Sequence, residues 1–169
     1  MSPELPRPEL YRPVAVDRVG PDGLTVEVRA DDTECRALAA RMAIPAVAEF
    51  VCRFSLSAAP GGVVLAQGHL RARVMRICVL TLDAFETVTE ERFRLRCVPA
   101  GRESDDDDPE SDDEIAYQGG AIDLGEVAAE QLALALDPYP RKPDAALPAT
   151  VESPADSPFA ALARRQPRH

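Results

Sequence analysis

The sequence predicts an α+β domain: a strongly twisted antiparallel sheet that curls towards a barrel, with two main helices. Three observations predict it. Residues 47–57, 63–78 and 85–98 form long runs of β-branched, aromatic and alternating apolar residues, joined by the short connections Ala59-Pro60-Gly61-Gly62 and Thr81-Leu82-Asp83-Ala84. One segment before these runs and one after them carry the three-four apolar spacing of a helix with a single buried face. Strands and helices do not alternate as a doubly wound nucleotide fold requires.

Taken in order, Val14 to Val19 reads as a first strand, Gly20-Pro21-Asp22-Gly23 as a turn, and Leu24 to Ala30 as its hairpin partner. Asp31, Asp32 or Thr33 can cap a helix running to Met42, in which Cys35, Leu38, Ala39 and Met42 form the buried stripe. The three long strands follow. After Gly119-Gly120, Ile122 adds a short strand and leads into the second helix. There Asp123 is the cap, Glu126 stands where a capping box needs it, and Leu124, Val127, Ala128, Gln131, Leu132, Ala135 and Leu136 share one face. Asp137-Pro138-Tyr139-Pro140-Arg141 ends the helix with more sequence than a stop requires. Tyr139 is expected to fold back onto the sheet and lock the helix, leaving Arg141 free.

The chain has 169 residues, enough for one packed domain. The reading is a proline-rich extended arm over 1–13, a single domain over 14–142, and a Pro/Ala-rich tail over 143–169. No window approaches the ~18 apolar residues of a membrane span, and no signal pattern opens the chain, so a cytoplasmic address is expected. Cys35, Cys52, Cys78 and Cys97 stand singly with only His69 and His169 beside them, which is not metal-site spacing. Phosphate loops and nucleophile elbows are absent too. The expectation is a non-enzyme without metal or cofactor; a hydrolase built on Cys78 and His69 lacks support.

The net charge of -10 is unevenly distributed. The stretch from Glu103 to Glu114 carries nine carboxylates and no basic residue, so the remainder is close to neutral. Such a run repels itself and buries nothing, so it reads as a solvated loop inserted in the domain. Between Cys52 and Arg102, eight arginines face four acids. In Gln67-Gly68-His69-Leu70-Arg71-Ala72-Arg73-Val74 and in Arg92-Phe93-Arg94-Leu95-Arg96-Cys97, polar and apolar residues alternate. If the two strands share a sheet, Arg71, Arg73, Arg92, Arg94 and Arg96 share its outer face. These five, with Arg76 farther along the first run, are the candidate contacts to a nucleic-acid phosphate backbone, because guanidinium groups make forked contacts to phosphate. Phe93 points inward in this reading, so no exposed aromatic interleaves them and contact is to backbone or shape. The competing reading pairs the arginines with Glu86, Glu90 and Glu91, or with residues of neighbouring strands, as ordinary cross-strand partners.

In order along the chain, Glu34-Cys35-Arg36-Ala37-Leu38-Ala39, Gly68-His69-Leu70-Arg71-Ala72-Arg73-Val74, Cys78-Val79-Leu80-Thr81-Leu82, Ile122-Asp123-Leu124-Gly125-Glu126 and Asp137-Pro138-Tyr139-Pro140-Arg141 resemble the YceD family, the large ribosomal RNA subunit accumulation proteins, and within it an alphaproteobacterial-type branch. Cys78, Thr81, Asp123, Leu124, Glu126, Pro138, Tyr139, Pro140 and Arg141 carry the likeness as structural positions. It implies a non-enzymatic factor needed for large-subunit ribosomal RNA to accumulate, binding that RNA or its precursor during processing or assembly. The alternative is an acidic adaptor whose run 103–114 docks a basic ribosomal or assembly protein without touching RNA. Relatives often carry a second cysteine just after the first and another in the tail. Here Val79-Leu80-Thr81 and Arg141-Lys142-Pro143-Asp144 stand instead, so no metal or redox role carries over.

Overall fold

The computed structural model describes residues 8–103 and 112–146. Seven strands and two helices follow the order β1 (Pro13–Ala15), β2 (Leu24–Arg29), α1 (Asp32–Arg41), β3 (Ala46–Ala58), β4 (Val64–Ile77), β5 (Ala84–Pro99), β6 (Asp113–Tyr117), β7 (Ala121–Asp123) and α2 (Leu124–Ala135). Strands β2-β3-β4-β5-β6 form one five-stranded sheet in that order, and β1 pairs with β7 in a separate two-stranded ribbon. All neighbours are antiparallel except β5 and β6, which run parallel. The fold is α+β as expected. Its sheet is open rather than barrel-like, because β2 and β6 stay at opposite edges.

The three long strands form where alternation placed them. Along β4, Val64, Ala66, Gly68, Leu70, Ala72 and Val74 are buried while Leu65, Gln67, His69, Arg71 and Arg73 are exposed. A strand with one wet face needs a cover on the other. Here α1, α2 and the segment around Leu10 supply it, and Phe50, Phe54, Leu38, Leu70, Leu95, Ile122, Leu124 and Leu132 close into one core.

The expected hairpin between 14–19 and 24–30 does not form. Val14 pairs with Ile122 instead, Val16–Arg18 make a short 3-10 turn, and the Val16 amide donates to the Gly120 carbonyl at 2.9 Å. Burying Val14 against Ile122 completes the cover over the core, and no local reading of a strand and a turn contains that partner. The proline-rich stretch is likewise tied down from residue 8 onward. Leu10 is 0% exposed, and the Leu124 amide donates to the Arg12 carbonyl at 3.1 Å. Gly125 makes this crossing feasible: a Cβ there would lie 2.1 Å from the Leu10 carbonyl oxygen.

Both helices are capped by aspartate, but the capping box sits on the other one. In α1, Asp31 accepts from the Thr33 and Glu34 amides at 2.8 Å, and Glu34 returns to the Asp31 amide at 2.9 Å. In α2, Asp123 accepts from Gly125, Glu126 and, across the chain, the Arg12 amide at 2.8 Å. Glu126 does not reach back. Its carboxylate takes the two ends of the Arg41 guanidinium at 2.7 and 2.9 Å, joining α2 to the C-terminal turn of α1. The acidic run is also not one loop: Asp113 and Glu114 begin β6, while 104–111 lie outside the described residues.

Candidate nucleic-acid interface

Register decides which side chains share the outer face. His69 on β4 stands opposite Arg53 on β3 and Arg92 on β5, Gln67 lies between Ser55 and Arg94, and Arg71 faces Glu90. Arg96 lies opposite Leu65 on β4 and beside Glu114 on β6, so Arg71, Arg73, Arg92, Arg94 and Arg96 do share one face. Phe93 points to the other side, its ring 5.8 Å from that of Phe54 in an edge-to-face contact over Gly68. The absent Cβ of Gly68 makes room for that ring.

Arg76 does not belong with the others. It is 9% exposed on the covered face, where its guanidinium donates to the Asp137 carbonyl at the end of α2 at 2.5 Å. Its even position on β4 puts it with Val74 and Ala72, so parity alone removes it from the outer set. It explains part of the Asp-Pro-Tyr-Pro-Arg stop. The Asp137 side chain accepts from the Tyr139 amide at 2.8 Å, the Pro140 carbonyl accepts from the Val79 amide at 2.9 Å, and the Lys142 amide approaches the Cys78 sulfur at 3.4 Å. The stop is therefore a strap laid over the β4–β5 turn. Tyr139, expected to lock the helix, is 71% exposed, and backbone groups hold the strap instead; Arg141 is exposed. Pro138 and Pro140 keep the strap extended.

The outer arginines divide into two groups. Arg71 contacts Glu90 at 3.1 Å and Glu49 at 3.7 Å, Arg73 reaches Glu49 and Glu86 at 4.0 Å, and Arg96 contacts Glu114 at 3.2 Å. Glu91, expected to neutralise the face, is on the opposite side, across from Leu70. Among the described residues, the side chains of Arg92 and Arg94 make neither ion pair nor hydrogen bond. They line a shallow open groove of about 760 Å³ together with Arg53, His69, Gln67, Ser55, Asp112 and Asp113. Arg53 is held by Glu27 at 2.8 Å. That bond also pulls the Glu27 carboxyl below its usual range. Exposed pairs of this kind contribute little, so they are exchangeable for phosphate contacts.

Arg53, Ser55 and His69 were not among the expected contacts. Their signal lies in the alternation, since Arg53 and Ser55 alternate with Cys52, Phe54 and Leu56 as the β4 residues do, but arginine is sparser there than in the β4 and β5 runs.

The cysteines behave as separate packing residues, and the described residues contain no cluster of metal-ligating side chains. Burial pushes Cys52 up to about 12 and Cys97 to about 11, and raises Cys35. Cys78 differs: Thr81 and the Lys142 amide bring its thiol down to about 7 although the side chain is fully covered. No described helix is long and apolar enough to cross a membrane.

The family model for the large ribosomal RNA subunit accumulation protein YceD matches residues 66–163, more than half of the chain. The chain belongs to the YceD family. The match takes in β4 from its third residue, β5 to β7, α2 and the strap, and so contains His69, Arg92, Arg94 and Cys78; residues 104–111 and 147–163 of it lie outside the described residues. No curated protein and no solved structure matches the chain. YceD membership ties it to the accumulation of large-subunit ribosomal RNA.

Proposed function

We propose that this YceD-family chain is a non-enzymatic, cytoplasmic RNA-binding factor that supports accumulation of large-subunit ribosomal RNA. It needs no cofactor and holds the RNA or its precursor by the phosphate backbone, on the outer face of the five-stranded sheet. The observation that carries this reading is the uncommitted state of Arg92 and Arg94 beside His69 and Arg53, on a sheet face that no described element covers. Two adjacent guanidinium groups that make no ion pair among the described residues, although Asp112 and Asp113 line the same groove, favour an incoming polyanion. The outer face of β2 to β5 presents no aromatic side chain among the described residues, so stacking on unpaired bases has no platform and backbone contact remains.

A second reading is favoured by the other arginines. Arg71, Arg73 and Arg96 each meet a carboxylate, as expected of an adaptor that uses its acidic run on a basic ribosomal or assembly protein. Crosslinking in cells separates the two. RNA-binding predicts large-subunit RNA segments crosslinked to the parent and lost from R92Q/R94Q. Capture of ribosomal proteins that persists without any RNA crosslink would replace the first reading with the second.

A further inference from the structure

The groove has a titratable centre. His69 is the middle member of a cross-strand row, Arg53–His69–Arg92, set by the β3–β4 and β4–β5 registers. The side chain is exposed, lines the groove, and has no hydrogen bond or ion pair among the described residues. Resting on the backbone-binding reading above, we propose that His69 is a phosphate contact that takes up a proton when RNA binds, so that the protein holds RNA more tightly as pH falls towards 6.

The charges around the imidazole lead to this. From β3 it faces Arg53, whose charge is shared with Glu27. From β5 it faces Arg92, with Arg94 one side-chain step along and Glu90 one step the other way, the latter engaged by Arg71 from β4 itself. Asp112 and Asp113 line the same groove and, among the described residues, make no ion pair with Arg53 or Arg92. A proton on His69 in the free protein would join a row that already holds two cations. An anion bridging that row supplies a direct counter-charge to His69 and Arg92, which have no ion pair among the described residues, and an imidazole is the one side chain whose ordinary titration falls between about pH 5 and 8. Binding and protonation then favour each other, and by linkage the affinity gains at most one proton's worth of pH dependence. The sign follows: the charged form binds better, so affinity is greatest at low pH and declines as pH rises. Gln67 and Ser55, next along the groove, offer neutral donors to the same backbone.

The test is fluorescence anisotropy with a short labelled RNA duplex and its single strand at constant ionic strength, using the full chain. The parent should bind roughly three- to tenfold more tightly at about pH 6 than at about pH 7.5. H69Q should bind equally at both. A second readout needs no affinity change: His69 and His169 are the only histidines in the sequence, so NMR resolves each imidazole, and H69Q assigns them. Added RNA should move the His69 titration to higher pH in the parent and leave that of His169 in place. RNA binding that is independent of pH, or a pH dependence kept intact in H69Q, overturns the role of His69 while leaving backbone binding standing. A parent that binds neither RNA at either pH overturns the underlying reading as well.

Discussion

Gly68→Ala tests how the groove is held in place, because Gly68 lies beneath Phe93 and Phe93 separates Arg92 from Arg94. A Cβ at Gly68 would stand 2.0, 2.3 and 2.6 Å from three Phe93 ring atoms, against an ordinary carbon–carbon separation of about 3.5–4.0 Å. The ring must therefore move by more than ~1 Å and leave its edge contact with Phe54. That contact contributes about 0.5–1.5 kcal/mol, and overpacking of this kind costs ~1–3 kcal/mol. Replacing a strand glycine returns ~0.5–1 kcal/mol. The net expectation is a loss of roughly 1–3 kcal/mol, or about 2–4 °C in Tm per kcal/mol for a domain of this size. The chain has no tryptophan, so urea and thermal unfolding followed by far-ultraviolet circular dichroism is the practical assay. In a Phe93→Ala background the clash is gone and Gly68→Ala should be neutral or slightly stabilising, a coupling of about 2 kcal/mol. Equal destabilisation in both backgrounds, or a parent-like Gly68→Ala, would refute the account of how β4 and β5 are packed.

Other substitutions read other joints. Gly125→Ala should cost more than Gly68→Ala, several kcal/mol by order of magnitude, because the clashing partner is the Leu10 backbone rather than a side chain; urea midpoints of the two variants compare them directly. Asp123→Ala removes acceptors for two α2 amides and the Arg12 amide and should cost about 1–2 kcal/mol, whereas Asp123→Asn should retain most of it. Arg12 holds the Glu34 carboxyl below its usual range. The charged form is thus favoured in the folded state, and this contribution is complete above the ordinary glutamate range and lost as pH falls through the depressed value; Glu34→Gln should flatten the acid side of the stability profile. In pulsed alkylation of the native protein, Cys78 should react before Cys52 and Cys97, since only its thiol is brought down to about 7, and labelling should require the strap at Pro140 to Lys142 to open. Earlier labelling of Cys52 or Cys97 would contradict that assignment.

The parts of this fold that were legible in the sequence are those governed by neighbours along the chain. Period-two alternation placed β3, β4 and β5, Asp123 marked the start of α2, and the Asp31-Asp32-Thr33 cluster marked that of α1 without choosing Asp31 as its cap. The rest depends on partners far away. Val14 looks like half of a hairpin until Ile122 is beside it, and β6 opens with Asp113 and Glu114, which read as loop until Arg96 and the β5 edge give them partners. In the candidate site the shared arginine face followed from parity, and parity applied strictly would have moved Arg76 to the core side. What alternation could not reveal is which arginines are engaged. That depends on Glu49, a β3 residue within reach of Arg29, Arg71 and Arg73, and on the missing carboxylates opposite Arg92 and Arg94. The strap was visible as surplus sequence, and its purpose emerged only with Arg76, Val79 and Cys78 beneath it.

The most direct test of the central claim is the salt dependence of RNA binding in the parent, R92Q/R94Q and R71Q/R73Q. Each phosphate contact adds about 0.9 to the slope of log affinity against log salt on a duplex, and about 0.7 on a single strand, by the DNA-derived rule. The account predicts that R92Q/R94Q lowers affinity and flattens the slope by roughly 1.4–1.8, with a smaller change for R71Q/R73Q, whose arginines are already paired. An unchanged slope in R92Q/R94Q, or the larger loss in R71Q/R73Q, would contradict it.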